Sequence, residues 1–329
     1  MYDKTSVIMP TYNRSEFLNL TLAGFTIQTS KDFNIVIVDD GSIDDTKAVV
    51  DTYQGKLDIT YVHQENRGRS KSRNTGLKHT NANHIIFCDD DRIPNKNFIA
   101  VHQANKSQNL AAMGMKEKIL VRYNSKMQWK ENSLKILIKQ LKEPKKDIFT
   151  EDFFTERDIV TDFENIISTF SVGGSTDNYR DVVEKYGNNL EGFYFPWVTG
   201  TTANMSFVRK NIEDFLFDEN YTSWGMEDTD YSFMLYQRGY RFRMIDDAVN
   251  YHQNHPGNFS LERDSLNKNV KYFCQKYDDL SCYLFANMFG IKRMSMIELN
   301  ELYHAVTEKT VGEDSVEETL KKLLTNTLY

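Results

Sequence analysis

The chain has only three cysteines, Cys88, Cys274 and Cys282, in 329 residues. They are too few and too unevenly spread for a disulfide framework or a thiolate zinc site, which fits a reducing cytoplasm. No apolar run approaches the roughly 20 residues of a membrane span, and Met1-Tyr2-Asp3-Lys4 lacks the apolar core of a signal peptide. A cytoplasmic protein is expected. Basic charge is not in excess either: the net charge of -7 argues against a general nucleic-acid binder. Neither G-x-G-x-x-G nor G-x-x-x-x-G-K-[ST] follows the first apolar run, which weakens the nicotinamide dehydrogenase and P-loop readings. Apolar residues, by contrast, make up 40% of the chain and aromatics 13%, enough to bury a sizeable core.

The first hundred residues alternate short apolar runs with helical patterns. Ser6 to Met9 reads as a strand closed by Pro10, and Ser15 as the cap of a helix carrying Leu18, Leu22 and Phe25. Asn34 to Val38 is a second strand ending in Asp39-Asp40-Gly41-Ser42, with Ser42 as the cap of a helix through Val49 and Val50. Ile59 to Val62, a helix from about Ser70 to Lys78, and Ile85 to Cys88 continue the series. Strands alternating with helices of this length imply right-handed crossovers and a parallel sheet. Ligands of such sheets bind at the carboxyl ends of the strands.

Three polar clusters follow strand ends and should share one crevice: Thr11-Tyr12-Asn13, Asp39-Asp40 and Asp89-Asp90-Asp91. Three adjacent carboxylates repel one another unless a cation sits among them, although a solvated turn or a helix cap is the plainer reading of an isolated triplet. The loop from Asn66 to Asn74 adds Arg67, Arg69, Lys71 and Arg73 at the same edge. Cations and carboxylates meeting there suggest a nucleoside diphosphate bridged by a divalent metal.

These motifs, Ser6-Val7-Ile8-Met9-Pro10-Thr11-Tyr12-Asn13-Arg14, Ile37-Val38-Asp39-Asp40-Gly41-Ser42, Asn66-Arg67-Gly68 with Arg73-Asn74-Thr75-Gly76-Leu77, and Phe87-Cys88-Asp89-Asp90-Asp91, together resemble the family 2 glycosyltransferases. The resemblance implies the GT-A fold, a Rossmann-like α/β architecture with a mostly parallel sheet flanked by helices, here followed by a C-terminal helical extension. It implies a nucleotide-sugar donor, expected to be a UDP-sugar. Thr11, Tyr12 and Asp39 would hold the base, with Asp39 accepting from a uracil ring nitrogen, and Pro10, Asn13 and Asn66 would also belong to the nucleotide site. Arg67 and Arg73 would lie near the base or diphosphate, Asp89 near the ribose and Asp91 on the metal, with Asp90 able to share either role.

The second half carries three further clusters. Phe195 to Phe207 reads as a strand entering a small-residue turn and leaving as another strand, where Gly200 and Thr201 would let a donor sugar approach the backbone. Trp224-Gly225-Met226-Glu227-Asp228 opens a helix, and acidic residues there are often only dipole partners. The segment is similar to the W-G-x-E-D stretch of galactosyltransferase and N-acetylgalactosaminyltransferase domains. That similarity implies Asp228 as catalytic base, Glu227 as acceptor ligand and Trp224 as a stacking surface. The same resemblance makes His252 a metal ligand, with His255 as the alternative, although a histidine after an apolar run is usually packed or hydrogen-bonded. Two carboxylates, a histidine and diphosphate oxygens suit Mn²⁺, with Mg²⁺ as a substitute.

Residues 1–256 thus form the expected catalytic domain, with 116–191 as an insertion and 257–329 as the extension. The insertion has ten Lys or Arg against four Asp or Glu from Lys116 to Asp147, and three against ten from Glu151 to Glu191. Leu134, Leu137, Ile138 and Leu141 fall at helical spacing there, among Lys135, Lys139, Lys142 and Lys146. An ordinary surface helix is the plain reading, and docking to an anionic membrane or lipid-linked acceptor the sharper one. Ser171 to Asn178 is expected to be a loop near the acceptor, and Val316 to Leu328 another amphipathic segment. The acceptor expected is a growing bacterial polysaccharide or glycolipid, with a peptide still open. A nucleotidyltransferase and a non-catalytic carbohydrate-binding protein on the same fold are the competing readings.

Overall fold

Alternation along the early strands gives one sheet two apolar faces. Ile8, Val36, Val38, Ile85 and Phe87 lie in one buried cluster, and Val7, Met9, Ile35, Ile37, Ile86 and Cys88 in another, as successive strand side chains point to opposite sides. Helices cover both faces, which is why these runs read as continuously apolar. The computed structural model describes residues 4–123, 131–141, 152–173, 179–209, 215–255, 259–289 and 294–308, with residues 318, 319 and 322.

The chain runs β1 (Thr5–Thr11), α1 (Ser15–Thr26), β2 (Phe33–Asp39), α2 (Thr46–Tyr53), β3 (Ile59–His63), α3 (Arg69–Lys78), β4 (His84–Cys88), β5 (Arg92–Pro94), α4 (Phe98–Ala104) and β6 (Leu110–Ile119). It continues through α5 (Glu131–Leu141), α6 (Glu156–Phe170), α7 (Arg180–Tyr186), β7 (Asn204–Val208), α8 (Glu227–Gln237), β8 (Arg241–Gln253), α9 (Phe259–Tyr277), α10 (Leu280–Ala286) and α11 (Met296–Thr307). One eight-stranded sheet has the order β3-β2-β1-β4-β7-β6-β8-β5. The half from β3 to β4 is parallel, as expected. Beyond β4 the sheet is mixed: β7 runs antiparallel to both β4 and β6, β8 parallel to β6, and β5 antiparallel to β8. The chain leaves β1 for β2 on one side and reaches β4 on the other, so the crevice opens at their carboxyl ends.

Several local expectations change. Ser15 is the first residue of α1 rather than its cap, and its amide donates to Asp44. Ser42 does not cap α2, which starts at Thr46; the Ser42 amide instead donates to Asp39 Oδ1 and its hydroxyl accepts from the Asn13 amide. The segment before Gly200 is not a strand but a 3-10 turn, Pro196–Thr199. There Trp197 packs against Phe233, Phe273 and Phe285, with ring centroids 4.8, 5.7 and 5.1 Å away. Only the second half of the expected pair, β7, is a strand.

In α5, Ile136 is buried while Leu134 and Ile138 are 43% and 50% exposed, so the spaced leucine and isoleucine face solvent together. The side chain of Leu141, residues Lys142 and Lys146, and residues 174–178 lie outside the described residues, as does most of the segment from Val316 to Leu328. Val270, Phe273, Leu284, Phe285 and Leu299 from the C-terminal helices join the same buried cluster as Ile8 and Phe87. Among the described residues no helix is long and apolar enough to cross a membrane.

Candidate active site

The loops after β1 and β2 are tied to each other before any ligand is considered. Asn13 takes a left-handed conformation (φ +50°), and its side-chain oxygen accepts from the Ile43 amide at 2.8 Å. The Asp40 amide donates to Thr11 O at 2.9 Å. Asp39 accepts from the Ser42 amide at 2.8 Å and from the Tyr61 hydroxyl at 2.5 Å, with His63 Nδ1 at 3.4 Å. Burial pushes this carboxyl up, but those hydrogen bonds outweigh it and hold Asp39 below the usual carboxylate range. A surface cavity of about 250 Å³ is lined by Asp39, Ser42, Asp44, Lys47, Tyr61 and His63. Tyr12 stands exposed beside these loops, and Pro10 pairs with Val38 beyond the last β1–β4 partner.

Asp40 has a separate task. Its carboxylate accepts from the backbone amides of Arg67 and Gly68 at 2.9 and 2.8 Å and from Gln64 Nε2 at 2.7 Å. It therefore fixes the Asn66–Gly68 loop, whose Asn66 and Arg67 side chains are exposed. The Arg67 guanidinium lies 3.8 Å from Glu65.

The last two aspartates of the triplet meet cations from distant segments. The three-residue strand β5 pairs with β8 so that Arg92 lies opposite His252, and the Gln253 amide donates to Asp91 O at 2.9 Å. This register sets His252 Nε2 3.5 Å and His255 Nε2 3.2 Å from Asp91 Oδ2. The three groups offer ligand atoms within 4.8 Å of one another. Both histidines therefore join the set for which only one was expected. Burial lowers the His252 pKa despite Asp91, which favours the neutral imidazole that binds metals. Asp91 is held well below the usual carboxylate range: burial raises it, but the two histidines and Arg14 prevail. Its Oδ1 is buried without a hydrogen-bond partner, so the donor set fits a divalent cation with oxygen and nitrogen ligands. Arg14 reaches Asp91 Oδ2 and lies 3.7 Å from Asp90. Asp90 is nonetheless pushed up to about 7, by burial first and by Asp91 in addition.

Arg73, expected near the base or diphosphate, is buried between two carboxylates, with Nη1 3.1 Å from Glu227 Oε1 and Nη2 3.3 Å from Asp89 Oδ1. Phe217 lies under its guanidinium at 5.6 Å. The buried cation is balanced locally, and through it the N-terminus of α8 is held to the end of β4. Next to Glu227, Asp228 keeps part of its surface open and accepts from the Thr229 amide at 2.8 Å. Burial, with Glu227 as a like-charged neighbour, raises Asp228 to about 6. Trp224, in the loop before α8, is 41% exposed.

Gly200 owes its identity to packing: a Cβ there would stand 2.2 Å from Ser232 Oγ on α8. Thr201 accepts from the ammonium group of Lys116 at 3.0 Å. Lys116 is itself buried, and its place beside the expected sugar subsite was invisible in a sequence read without the β6–β7 pairing.

Residues 6–154 match the family described as Glycosyl transferase family 2. The chain is also 30% identical over 292 residues to the uncharacterised glycosyltransferase YfnE of Bacillus subtilis, covering 84% of this chain and 71% of that protein. The chain belongs to glycosyl transferase family 2. This family 2 chain is 27% identical over 279 residues to the chondroitin synthase of Escherichia coli, across 82% of its own length but only 37% of the relative's. Its GT-A fold is shared with a mannosyltransferase of Pyrobaculum calidifontis solved with GDP-Man and Mn²⁺, at a TM-score of 0.55 and 17% identity over 97% of this chain and 80% of that one. Staphylococcus aureus TarS has the same fold, at a TM-score of 0.53 and 18% identity over 88% of this chain and 44% of that one.

Proposed function

We propose that residues 1–256 form a metal-dependent, inverting glycosyltransferase domain that moves a sugar from a UDP-sugar to a saccharide hydroxyl. The observation that carries this reading is the convergence, at the carboxyl ends of β1, β2 and β4, of the Asp39 pocket and the Asp91, His252 and His255 cluster. Asp39 accepts a ring N–H of the base, and Tyr12 covers it. Thr11 and Asn13 shape the base pocket, and Asn66, Arg67 and Asp89 complete the nucleotide side. Asp91, His252 and His255 would hold a divalent cation, Mn²⁺ or in its place Mg²⁺, which when bound would supply positive charge on the diphosphate side.

Asp228 removes the acceptor proton as the glycosidic bond forms, from the face opposite the leaving group, so that the anomeric centre inverts. A carboxyl raised to about 6 suits that task near neutral pH, where it is mostly ionised yet basic enough to take the proton. Glu227 orients the acceptor, Trp224 offers it a stacking face, and Gly200 and Thr201 flank the donor sugar. Similarity to proteins named chondroitin synthase and hyaluronan synthase supports a growing polysaccharide as acceptor.

Calorimetry with UDP, GDP and a panel of nucleotide sugars, each with Mn²⁺, with Mg²⁺ and with chelator, tests the reading. Metal-dependent binding of UDP and one UDP-sugar is expected. Absence of nucleotide binding under every condition overturns it.

A further inference from the structure

We infer that Asn269, on helix α9, is a positioning residue for the acceptor side: it holds the Ser223–Gly225 loop in the one conformation that presents Trp224. The inference rests on the proposed reading of that loop as acceptor-binding. Asn269 is buried, and its side-chain amide nitrogen stands 2.8 Å from Gly225 O, 3.2 Å from Trp224 O and 3.3 Å from Ser223 O. In an extended segment successive carbonyls point in alternate directions. Here three in a row converge on a single donor.

Two consecutive residues with positive φ, Gly225 (φ +93°), which carries the last of these carbonyls, and Met226 (φ +74°), turn the chain into α8. A methionine in that region is strained, and such a conformation persists only where its surroundings over-determine it. Helix α9 supplies those surroundings. A Cβ at Gly225 would lie 3.1 Å from Leu266 Cδ1, one helical turn before Asn269. Further along the same face, Lys276 bonds Asp218 at 2.8 Å and Asp230 at 2.8 and 3.0 Å, which secures the chain on both sides of the loop. Between them Phe273 packs on Trp197 and Phe233. Leu266, Asn269, Phe273 and Lys276 share the stripe that a helix repeats every three to four residues.

Lys276 and Phe273 anchor the helix, but among the described residues it is Asn269 whose side chain bonds the Trp224 backbone. A neutral amide donor is the chemistry the place requires. Alanine would leave the carbonyls without that donor, and aspartate would set a negative charge against them. The extension thus contributes to the acceptor site without contributing a group that touches the acceptor.

The test compares Asn269→Ala, Asn269→Asp and Phe273→Leu, the last being a control that loosens α9 without touching the loop backbone. Protein carrying 5-fluorotryptophan is read by ¹⁹F NMR without substrate, the Trp224 signal being assigned with Trp224→Phe. One sharp Trp224 resonance is expected in the parent and in Phe273→Leu, and several or a broadened one in both Asn269 variants. An unchanged Trp224 resonance in Asn269→Ala overturns the proposal.

Steady-state transfer from the UDP-sugar that the parent turns over, to a panel of p-nitrophenyl glycosides, gives the second reading. The KM for the glycoside is expected to rise roughly tenfold in Asn269→Ala, and further in Asn269→Asp, with UDP affinity in Mn²⁺ unchanged. Adding Trp224→Ala to Asn269→Ala is expected to raise that KM little further, because both act through one ring. An acceptor KM that moves no more than in Phe273→Leu, or a parallel loss of UDP affinity, overturns the proposal. Failure of the transferase reading shows separately, as a parent that binds no UDP; the NMR comparison then decides alone whether Asn269 holds the loop.

Discussion

Arg73 donates to Glu227 across 3.1 Å, although 154 residues separate them in the chain. Its second nitrogen reaches Asp89, so one guanidinium spans the end of β4 and the start of α8. Arg73→Met is therefore expected to leave the buried Glu227 carboxylate without its cation, Asp89 keeping Arg92 at 3.8 Å, and to cost about 3–5 kcal/mol. Arg73→Lys keeps the charge but loses the two-pronged geometry, and should fall between the two. Chemical denaturation measures both.

Asp228 carries a pH prediction. A base must be ionised to act, so kcat/KM should be full above about pH 7 and fall tenfold per unit as pH drops below about 6. Stability runs the opposite way. A carboxyl raised in the folded state binds its proton more tightly than in the unfolded chain, so its contribution weakens as pH rises through the window from about 4 to 6. Asp228→Asn should lower transfer by about 10²–10⁴ and leave UDP binding intact. It should also raise Tm slightly at neutral pH, a combination that a purely structural aspartate does not give.

Asp91→Asn should weaken Mn²⁺ binding at least about 100-fold, read by electron paramagnetic resonance of the free ion. His252→Ala and His255→Ala should each weaken it as well, since both imidazoles face the same carboxylate oxygen. A loss from only one of them would remove the other from the ligand set.

Asp40→Ala removes the acceptor of three hydrogen bonds from the segment at Gln64, Arg67 and Gly68. Faster proteolysis within residues 64–68 is expected, with a loss of about 2–4 kcal/mol in stability. The UDP-sugar KM should rise with kcat little changed.

Gly200→Ala places a methyl group 2.2 Å from Ser232 Oγ and should cost about 1–3 kcal/mol. Ser232→Gly in the same chain is expected to restore part of it, as thermal unfolding of the two variants would show.

The parallel half of the sheet was legible because strands buried on both faces give uninterrupted apolar runs such as Ile35 to Val38. Its polar strand ends stood out by contrast. The turn at Pro196–Thr199 misled because Phe195, Trp197 and Val198 have the composition of a strand, while Trp197 is buried by packing on Phe233, Phe273 and Phe285 of α8, α9 and α10, and Phe195 meets Tyr303 of α11. Strand β5 is only three residues long, too short to show a period, so the sequence could not fix its register on β8. That register brings His255 as well as His252 to Asp91. Asn269 and Lys116 are ordinary polar residues in the sequence, and only tertiary contacts give them meaning.

Strand β8 lies between β6 and β5, and Asp91 meets its histidines through that placement. A chain synthesised from its N-terminus would assemble the Asp39 pocket early, yet remain chemically silent on the ribosome until the segment around His252 had emerged and threaded into the sheet. A fragment ending at residue 154, where the family match stops, would keep Asp91 but neither imidazole. On the proposed reading, ion capture would therefore be a late event that reports the placing of β8 in the sheet.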